Sequence, residues 1–428
     1  MSGVHDAIAL QALAVLPAAE RRAFAPHRAA LAKSAWYGDL LADPTMSEAE
    51  KRKIDPEADR FIEPLPPRTA TSRKIFELTV RDAENSSSPL RCVHASEYFL
   101  RNAAASLREG NVLGAVKFCG AFSHIIGDVG EPIHALPPEI VDRAVPPPRK
   151  YLGLELHAGI EGLKAPVDIG GYRPRVLGST VSRAVMGVYA ALVELKKLGA
   201  AQAVPIAQAL YADHRKQAIA LSQRAQNQSA RVTADFMHTA FHLAQGGKTQ
   251  QLPLDLCAYP WVRCKVDMLY RYQPLVDISL VPYSTGKLHP LSLPTGKRGA
   301  TERVHGLAVI PYLGPPWVKE HHREATIEYF LVPGAFRTLR ARVGANPLFR
   351  ESICKAVFRV LGDGKELFRS PVLGLDDAHV PVEVALGRTT WLTLAMHYTK
   401  ASNATHKDFA RLHVRYALHG VWAEPTLF

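Results

Sequence analysis

Cysteine is scarce in this chain: five in 428 residues, at positions 92, 119, 257, 264 and 354, with no Cys-x-x-Cys pair. That excludes a disulfide scaffold and argues against a thiolate zinc ribbon or a thioredoxin-type motif. The odd count leaves at least one thiol free unless chains cross-link. No apolar run in the sequence approaches the roughly 18 residues that a membrane span needs, which argues against an integral membrane protein. There is no nucleophile-elbow motif to support Ser-His-Asp catalysis, no internal repeat and no low-complexity tail. A concentrated basic block is also missing. The net charge of +12 is spread as +5 over residues 1–250 and +7 over 251–428, an ordinary basic surface rather than a nucleic-acid footprint. With 47% hydrophobic and 21% charged residues, the chain has the composition of a packed globular protein, and its length suggests two or three domains.

The two parts of the chain read differently. Residues 1–245 are rich in Ala and Leu, with apolar residues every three or four positions, as at Ile8, Leu10, Leu13 and Leu16 or Val185, Val188, Leu192 and Leu195. That period predicts amphipathic helices. Residues 272–428 carry short β-branched and aromatic runs divided by Gly, Pro and Asp. Val357-Phe358-Arg359-Val360, the Gly362-Asp363-Gly364 turn and Trp391-Leu392-Thr393-Leu394 are examples, and Asp-Gly between such runs predicts a hairpin. The expected order is an all-α domain over 1–245, a connector over 246–271 and a β-sandwich over 272–428, its first strand starting near Leu275. The Pro-rich stretches 63–69 and 137–148 are expected as loops between helices.

Residues 1–17 do not form a secretory signal, because basic residues are missing and His5 and Asp6 interrupt the apolar stretch. The expectation is either a cytoplasmic protein or a secreted or periplasmic one whose leader is absent from this chain.

The chemistry concentrates in residues 121–135. His124 and Asp128 are four apart and share a helix face; Pro132 breaks the helix and His134 follows. Two imidazoles and a carboxylate therefore crowd one helix end, emerging from the apolar run 111–123. Imidazole and carboxylate are zinc ligands when thiolate is absent, and a buried His–Asp set needs a partner such as a metal. A second pair, His157 and Glu161, also lies four apart on one face. His238 and His242 share a helix face with no third ligand nearby in sequence, which favours a packing or surface role. His321-His322 sits among charges, as a solvated loop would.

The pattern H-x-x-G-D-x-x-x-P-x-H, from His124 to His134, resembles the signature of zinc-dependent phospholipase C and the related fungal-type single-strand nucleases. That resemblance implies an all-α domain holding two to three zinc ions in a cleft. The remaining ligand positions are found in order: His5 near the N-terminus, Asp39 after the Trp36 turn, His94 heading a helix, then His157 with Glu161. By resemblance, Asp39, His94, His124 and Asp128 hold one zinc, and His134, His157 and Glu161 a second. His5, a bridging Asp128 and the N-terminal amine and carbonyl hold the third. The family normally begins its mature chain with Trp; here the first Trp is Trp36, so Met1 or Ser2 substitutes or that site is empty. The implied reaction is phosphodiester hydrolysis: a zinc-bridging water of lowered pKa attacks phosphorus in line, with Asp39 orienting it or accepting its proton.

Substrate class is split between the two branches. The His134-to-His157 gap resembles the nucleases, whereas Glu161 in place of Asp resembles the phospholipases. The expected activity is phospholipase C-like on a phospholipid, with peripheral membrane contact; the alternative is a single-strand nuclease/3′-nucleotidase acting on nucleic acid. A third reading, motivated by the missing N-terminal Trp, is a degenerate, non-catalytic glycan-binding protein.

Residues 305–424 resemble a second family, the NPCBM carbohydrate-binding modules, through His305–Val309, Ile327–Tyr329, Phe336–Gly344, Val357–Val360, Asp363–Lys365 and His406–Leu412. This resemblance implies a galactose-binding-like β-sandwich, or jelly roll, with a glycan partner. Ala404-Thr405 stands where the family has Gly-Asp before His406. Trp391 and Trp422 are expected in the core rather than stacked on a sugar.

Overall fold

A computed structural model describes residues 4–42, 45–62, 64, 67–79, 88–136, 138–148, 156–247, 252–265, 291–296, 300–309, 324–347, 355–400 and 418–428. The chain divides into two compact units, Met1–Gln250 and Gln251–Phe428.

The first unit is helical: α1 (Val4–Ala14), α2 (Ala18–Phe24), α3 (Arg28–Ser34), α4 (Tyr37–Ala42), α5 (Glu48–Ile54), α6 (Ala70–Thr79), α7 (Cys92–Arg108), α8 (Val112–Gly130), α9 (Pro132–Ala135), α10 (Pro138–Ala144), α11 (Leu156–Glu161), α12 (Val181–Tyr211) and α13 (Arg215–Ala244). The expected period-3.6 pattern is what these helices bury: Ile8, Leu13 and Leu16 near one end of the unit, and Val185, Val188, Leu192 and Leu195 along α12. Leu10 is only half-buried; Ala9 and Ala12 complete that face instead.

Helix α8 is the axis of the unit. Asn111 caps it by accepting from Gly114 N, and Phe118 and Phe122 on it stack among Phe61, Phe99 and Phe236, with ring centroids 4.5–5.8 Å apart. Gly120 lets α3 approach: a Cβ there would lie 1.9 Å from Ser34 Oγ and 2.9 Å from the Leu31 carbonyl. At 19 residues, α8 is long and apolar enough to cross a membrane by length and composition, which the sequence reading denied. It is nevertheless a core helix, with 72% of its most apolar window buried inside the unit.

The Pro-rich stretch 137–148 is not wholly loop. Pro138 opens α10, because the first position of a helix tolerates a missing N–H and a fixed φ. Val141 of that helix joins a core with Ile133, Ile160 and Ile206.

The second unit is β: β1 (Leu254–Asp255), β2 (Arg263–Lys265), β3 (Ser292–Pro294), β4 (Thr301–Arg303), β5 (Gly306–Val309), β6 (Glu324–Phe330), β7 (Thr338–Ala345), β8 (Lys355–Gly362), β9 (Lys365–Arg369), β10 (Val380–Ala385), β11 (Trp391–Lys400) and β12 (Gly420–Leu427). One antiparallel sheet runs β1-β12-β7-β10, with β5 also on β12; the other runs β2-β6-β11-β8-β9; β3 pairs with β4. The two larger sheets face each other. Trp422 of β12 is fully buried, edge-on to Phe358 of β8 at 5.7 Å between centroids. The absent side chain of Gly420 leaves room for Met396 of β11. The Asp363-Gly364 turn joins β8 to β9 with φ of 51° and 81°, the left-handed pair that a two-residue type I′ hairpin requires.

The expected connector is corrected. Within 246–271, β1 pairs with the end of β12 and β2 with β6, so the sheets begin at Leu254. Two- and three-residue strands carry too little periodicity to be read locally; their pairing partners are 60 or more residues away. Leu275, His321-His322 and His406–Leu412 lie outside the described residues.

Candidate metal centre

Helix α8 sets the geometry. His124 and Asp128 project from one face, as their spacing dictates, with His124 Nε2 3.4 Å from Asp128 Oδ2. The Ala35 carbonyl lies 3.1 Å from His124 Nδ1, which fixes the tautomer and aims Nε2 into the site. Helix α4 brings Asp39, its Oδ1 3.5 Å from the same Nε2. From α1, His5 stacks on the His124 ring at 4.2 Å and places Nε2 3.6 Å from Asp128 Oδ1. His5, His124 and Asp128 thus form one group whose ligand atoms lie within 4.8 Å of one another.

The second group is tighter. Helix α8 ends at Gly130 and Pro132 starts α9, which turns His134 towards α11. His134 Nε2 meets His157 Nε2 at 2.9 Å, and Glu161 Oε1 lies 2.8 Å from His157 Nε2 and 3.4 Å from His134 Nε2. The two groups share one electrostatic environment. Burial, then the neighbouring His124, lowers the His5 pKa to about 4, and the charges of Glu161 and His134 also reach it. Asp39 is raised by burial first and feels Glu161 and His134 as well.

The donor set fits zinc. Ligands about 2.0–2.1 Å from a tetrahedral ion sit about 3.3 Å apart, and the edges of both groups, 2.8–3.6 Å, bracket that spacing. His94 Nε2 and His5 Nδ1 are buried without a hydrogen-bond partner, an arrangement that a bound cation would relieve at His94. Of the eight expected ligands, His5, His124 and Asp128 come together, as do His134, His157 and Glu161. Asp39 borders the first group. His94 lies outside the tight group but lines the same cleft.

That cleft has a volume of about 910 Å³. Asp39, His94, His124 and Asp128 line it, as do the apolar Phe61, Ile75, Phe76 and Phe99 and the basic Arg68, Arg73 and Arg91.

Three features escaped the sequence reading. The Tyr37 hydroxyl donates to Asp55 Oδ2 at 2.5 Å, and Lys117 of α8 pairs with the same oxygen at 2.6 Å, pinning α4 and its Asp39 to α8. Gly38 makes room for His124: a Cβ there would lie 2.0 Å from His124 Cδ2. Glu131, between Asp128 and His134 in sequence, is buried with Oε1 unbonded, and burial pushes its carboxyl up to about 7. A second carboxylate between His124 and His134, unclaimed by the pattern, was the available signal for Glu131; the other two depend on side chains far apart in sequence.

In the second unit the sheets carry the signature runs between His305 and Lys365 on β5 to β9. Residues 320–415 match the NPCBM/NEW2 domain. The NPCBM/NEW2 match spans β6 to β11, and Trp391 within it is buried against Phe330, as Trp422 beyond it is buried against Phe358. None of the curated proteins compared with the chain matches it. Among solved structures, the chain is similar to the alpha toxin of Clostridium absonum, at 12% identity and a TM-score of 0.35, over 95% of this chain and 89% of that one. It is also similar to the CBM51 of Clostridium perfringens GH95 in complex with methyl-galactose, at 15% identity and a TM-score of 0.30, over 41% of this chain and all of that one. A third likeness is to the CBM51-2 and INT domains of Clostridium perfringens ZmpB, at 13% identity and a TM-score of 0.31, over 41% of this chain. The chain spans about a third of that ZmpB structure, 31% of its length.

Proposed function

We propose that the protein is a zinc-dependent phosphodiester hydrolase of phospholipase C type, carrying a glycan-binding β-module. The observation that supports it is the meeting of His5, His124 and Asp128, and of His134, His157 and Glu161, at the end of one buried helix, in the order the signature implies. Asp39, His94, His124 and Asp128 would hold one ion, His134, His157 and Glu161 another, and His5 with Asp128 a third. When bound, zinc supplies Lewis-acid polarisation of the phosphoryl group and lowers the pKa of a bound water.

The chain's own groups do the rest. Asp39 has a side chain 58% exposed at the cleft, free to accept the proton of the attacking water, and Tyr37, Asp55 and Lys117 hold its helix in place. His124 is oriented by the Ala35 carbonyl. Arg68, Arg73 and Arg91, which line the cleft, would meet the charge of the phosphate ester, and Phe61, Ile75 and Phe76 in its lining suit the apolar part of a lipid. Phe76, 55% exposed, extends that apolar surface outward, which suits peripheral contact with a bilayer. The arginines also suit a polynucleotide backbone, so single-strand nuclease is the second reading. In the module, glycan contact falls to residues other than Trp391 and Trp422, whose rings are buried. Action on a lipid or glycan of a cell surface would call for a secreted or periplasmic protein; a cytoplasmic one is the alternative.

The test is a panel of phosphatidylcholine vesicles, single-stranded DNA and RNA, each with and without chelator. Chelator-sensitive release of phosphocholine supports the proposal; chelator-sensitive nucleotide release instead supports the nuclease. No chelator-sensitive turnover on any of them leaves the non-catalytic glycan-binding reading.

A further inference from the structure

A third set of metal-type donors lies in the β unit, remote in sequence from every residue of the helical site. The carboxylate of Asp255, at the end of β1, has both oxygens directed. Oδ1 accepts the Cys257 backbone N–H at 2.8 Å, and Oδ2 lies 2.8 Å from His305 Nε2. The Asx turn brings the Cys257 side chain to the same spot. The Asp255 carboxylate, the Cys257 thiol and the His305 imidazole have ligand atoms within 4.8 Å of one another.

We propose that Asp255, Cys257 and His305 form a binding site for a zinc-class divalent transition metal. The donors decide the class. Calcium and magnesium take oxygen ligands, six or more for calcium. One sulfur, one nitrogen and one carboxylate oxygen suit zinc, which binds Cys, His and Asp together. Zinc–sulfur bonds near 2.3 Å and zinc–nitrogen or zinc–oxygen bonds near 2.0–2.1 Å put tetrahedral ligand atoms about 3.3–3.6 Å apart, inside the span observed. The backbone is fixed around the site. Leu256 N donates to the Pro425 carbonyl, Glu424 N to the His305 carbonyl, and the Tyr329 hydroxyl to the Leu256 carbonyl. The thiol is buried while the carboxylate and imidazole are partly exposed, so the fourth position opens to water.

The site has a structural consequence. β1 is two residues long, and the pair Asp255–His305 closes a 50-residue span. A metal clip across that span fastens the first strand of the module to the segment entering β5, with the gain that closing a long loop brings.

Sulfur separates this site from the helical clusters, whose proposed ligands are all nitrogen and oxygen. The experiment adds cobalt(II) to the full-length chain after chelator treatment and records near-ultraviolet absorption. A thiolate-to-cobalt charge-transfer band whose final amplitude corresponds to one thiolate-bound cobalt per chain is expected, retained at that amplitude in His134→Ala and Cys92→Ala and abolished in Cys257→Ser. In His305→Ala, a change at a side chain about half-exposed, the band should need at least 10-fold more cobalt. No band in the wild type, a band surviving in Cys257→Ser, or unchanged affinity in His305→Ala overturns the proposal.

Discussion

His134 and His157 meet nitrogen to nitrogen, Nε2 to Nε2 at 2.9 Å, across 23 residues of chain. Two neutral imidazoles can share one proton in such a contact, but Glu161 Oε1 lies beside both nitrogens and gives the trio the donor set of the proposed divalent-cation site. Replacing His157 by Ala is expected to lower the zinc content of the purified protein by one ion while leaving the ion held around His124. Metal analysis of wild type and variant, side by side, checks this; equal content would remove these residues from the metal centre.

Asp128 faces His5 through one oxygen and His124 through the other. Asp128→Asn keeps the shape and removes the charge. Hydrolysis of a chromogenic phosphodiester should fall by at least about 100-fold, more than the loss typical of groups that only orient ligands. Turnover within a factor of ten of wild type would remove Asp128 from the metal centre that performs the reaction.

Gly38 is a packing switch for the site. Alanine there must displace the His124 ring, since the added carbon would lie 2.0 Å from Cδ2 and the ring is locked by Ala35. Gly38→Ala should lose metal and activity while retaining its helical circular dichroism. Full zinc content in a folded Gly38→Ala protein would show that His124 is not a ligand.

Glu131 makes the metal-free protein pH-sensitive. Burial disfavours the charge and pushes its carboxyl from the ordinary 4.5 up to about 7 in the folded, metal-free chain. The folded state therefore holds a proton that the unfolded chain releases, and stability falls as pH rises from about 4.5 to about 7. At about 1.4 kcal/mol per pH unit, the loss above pH 7 is on the order of 3 kcal/mol. Glu131→Gln, measured in chelator, should match wild type near pH 4 and be the more stable protein at pH 8. Parallel melting temperatures across that range would refute this.

Asp55 is buried between the Tyr37 hydroxyl and the Lys117 ammonium. Asp55→Ala strands the Lys117 charge against α8 and should destabilise the helical unit by about 3 kcal/mol in denaturant unfolding. It should also lower kcat, because Asp39 rides on the helix that Tyr37 begins.

The sequence by itself determined whatever depends on near neighbours. The 3.6-residue period marked out the helices up to Ala244, and the Asp363-Gly364 pair marked the β8–β9 hairpin, because helix faces and two-residue turns are set within a few residues. The i,i+4 spacing put His124 with Asp128 and His157 with Glu161 for the same reason. Tertiary structure alone decided what depends on distant partners. It brought α11 to α9 so that His157 reaches His134, pinned α4 through Asp55, and buried Glu131. It turned the expected connector into strands β1 and β2, whose partners are β12 and β6. It also gathered Asp255, Cys257 and His305. A strand of two residues has no period of its own, and a ligand group assembled across 50 residues has no spacing to read; only packing supplies either.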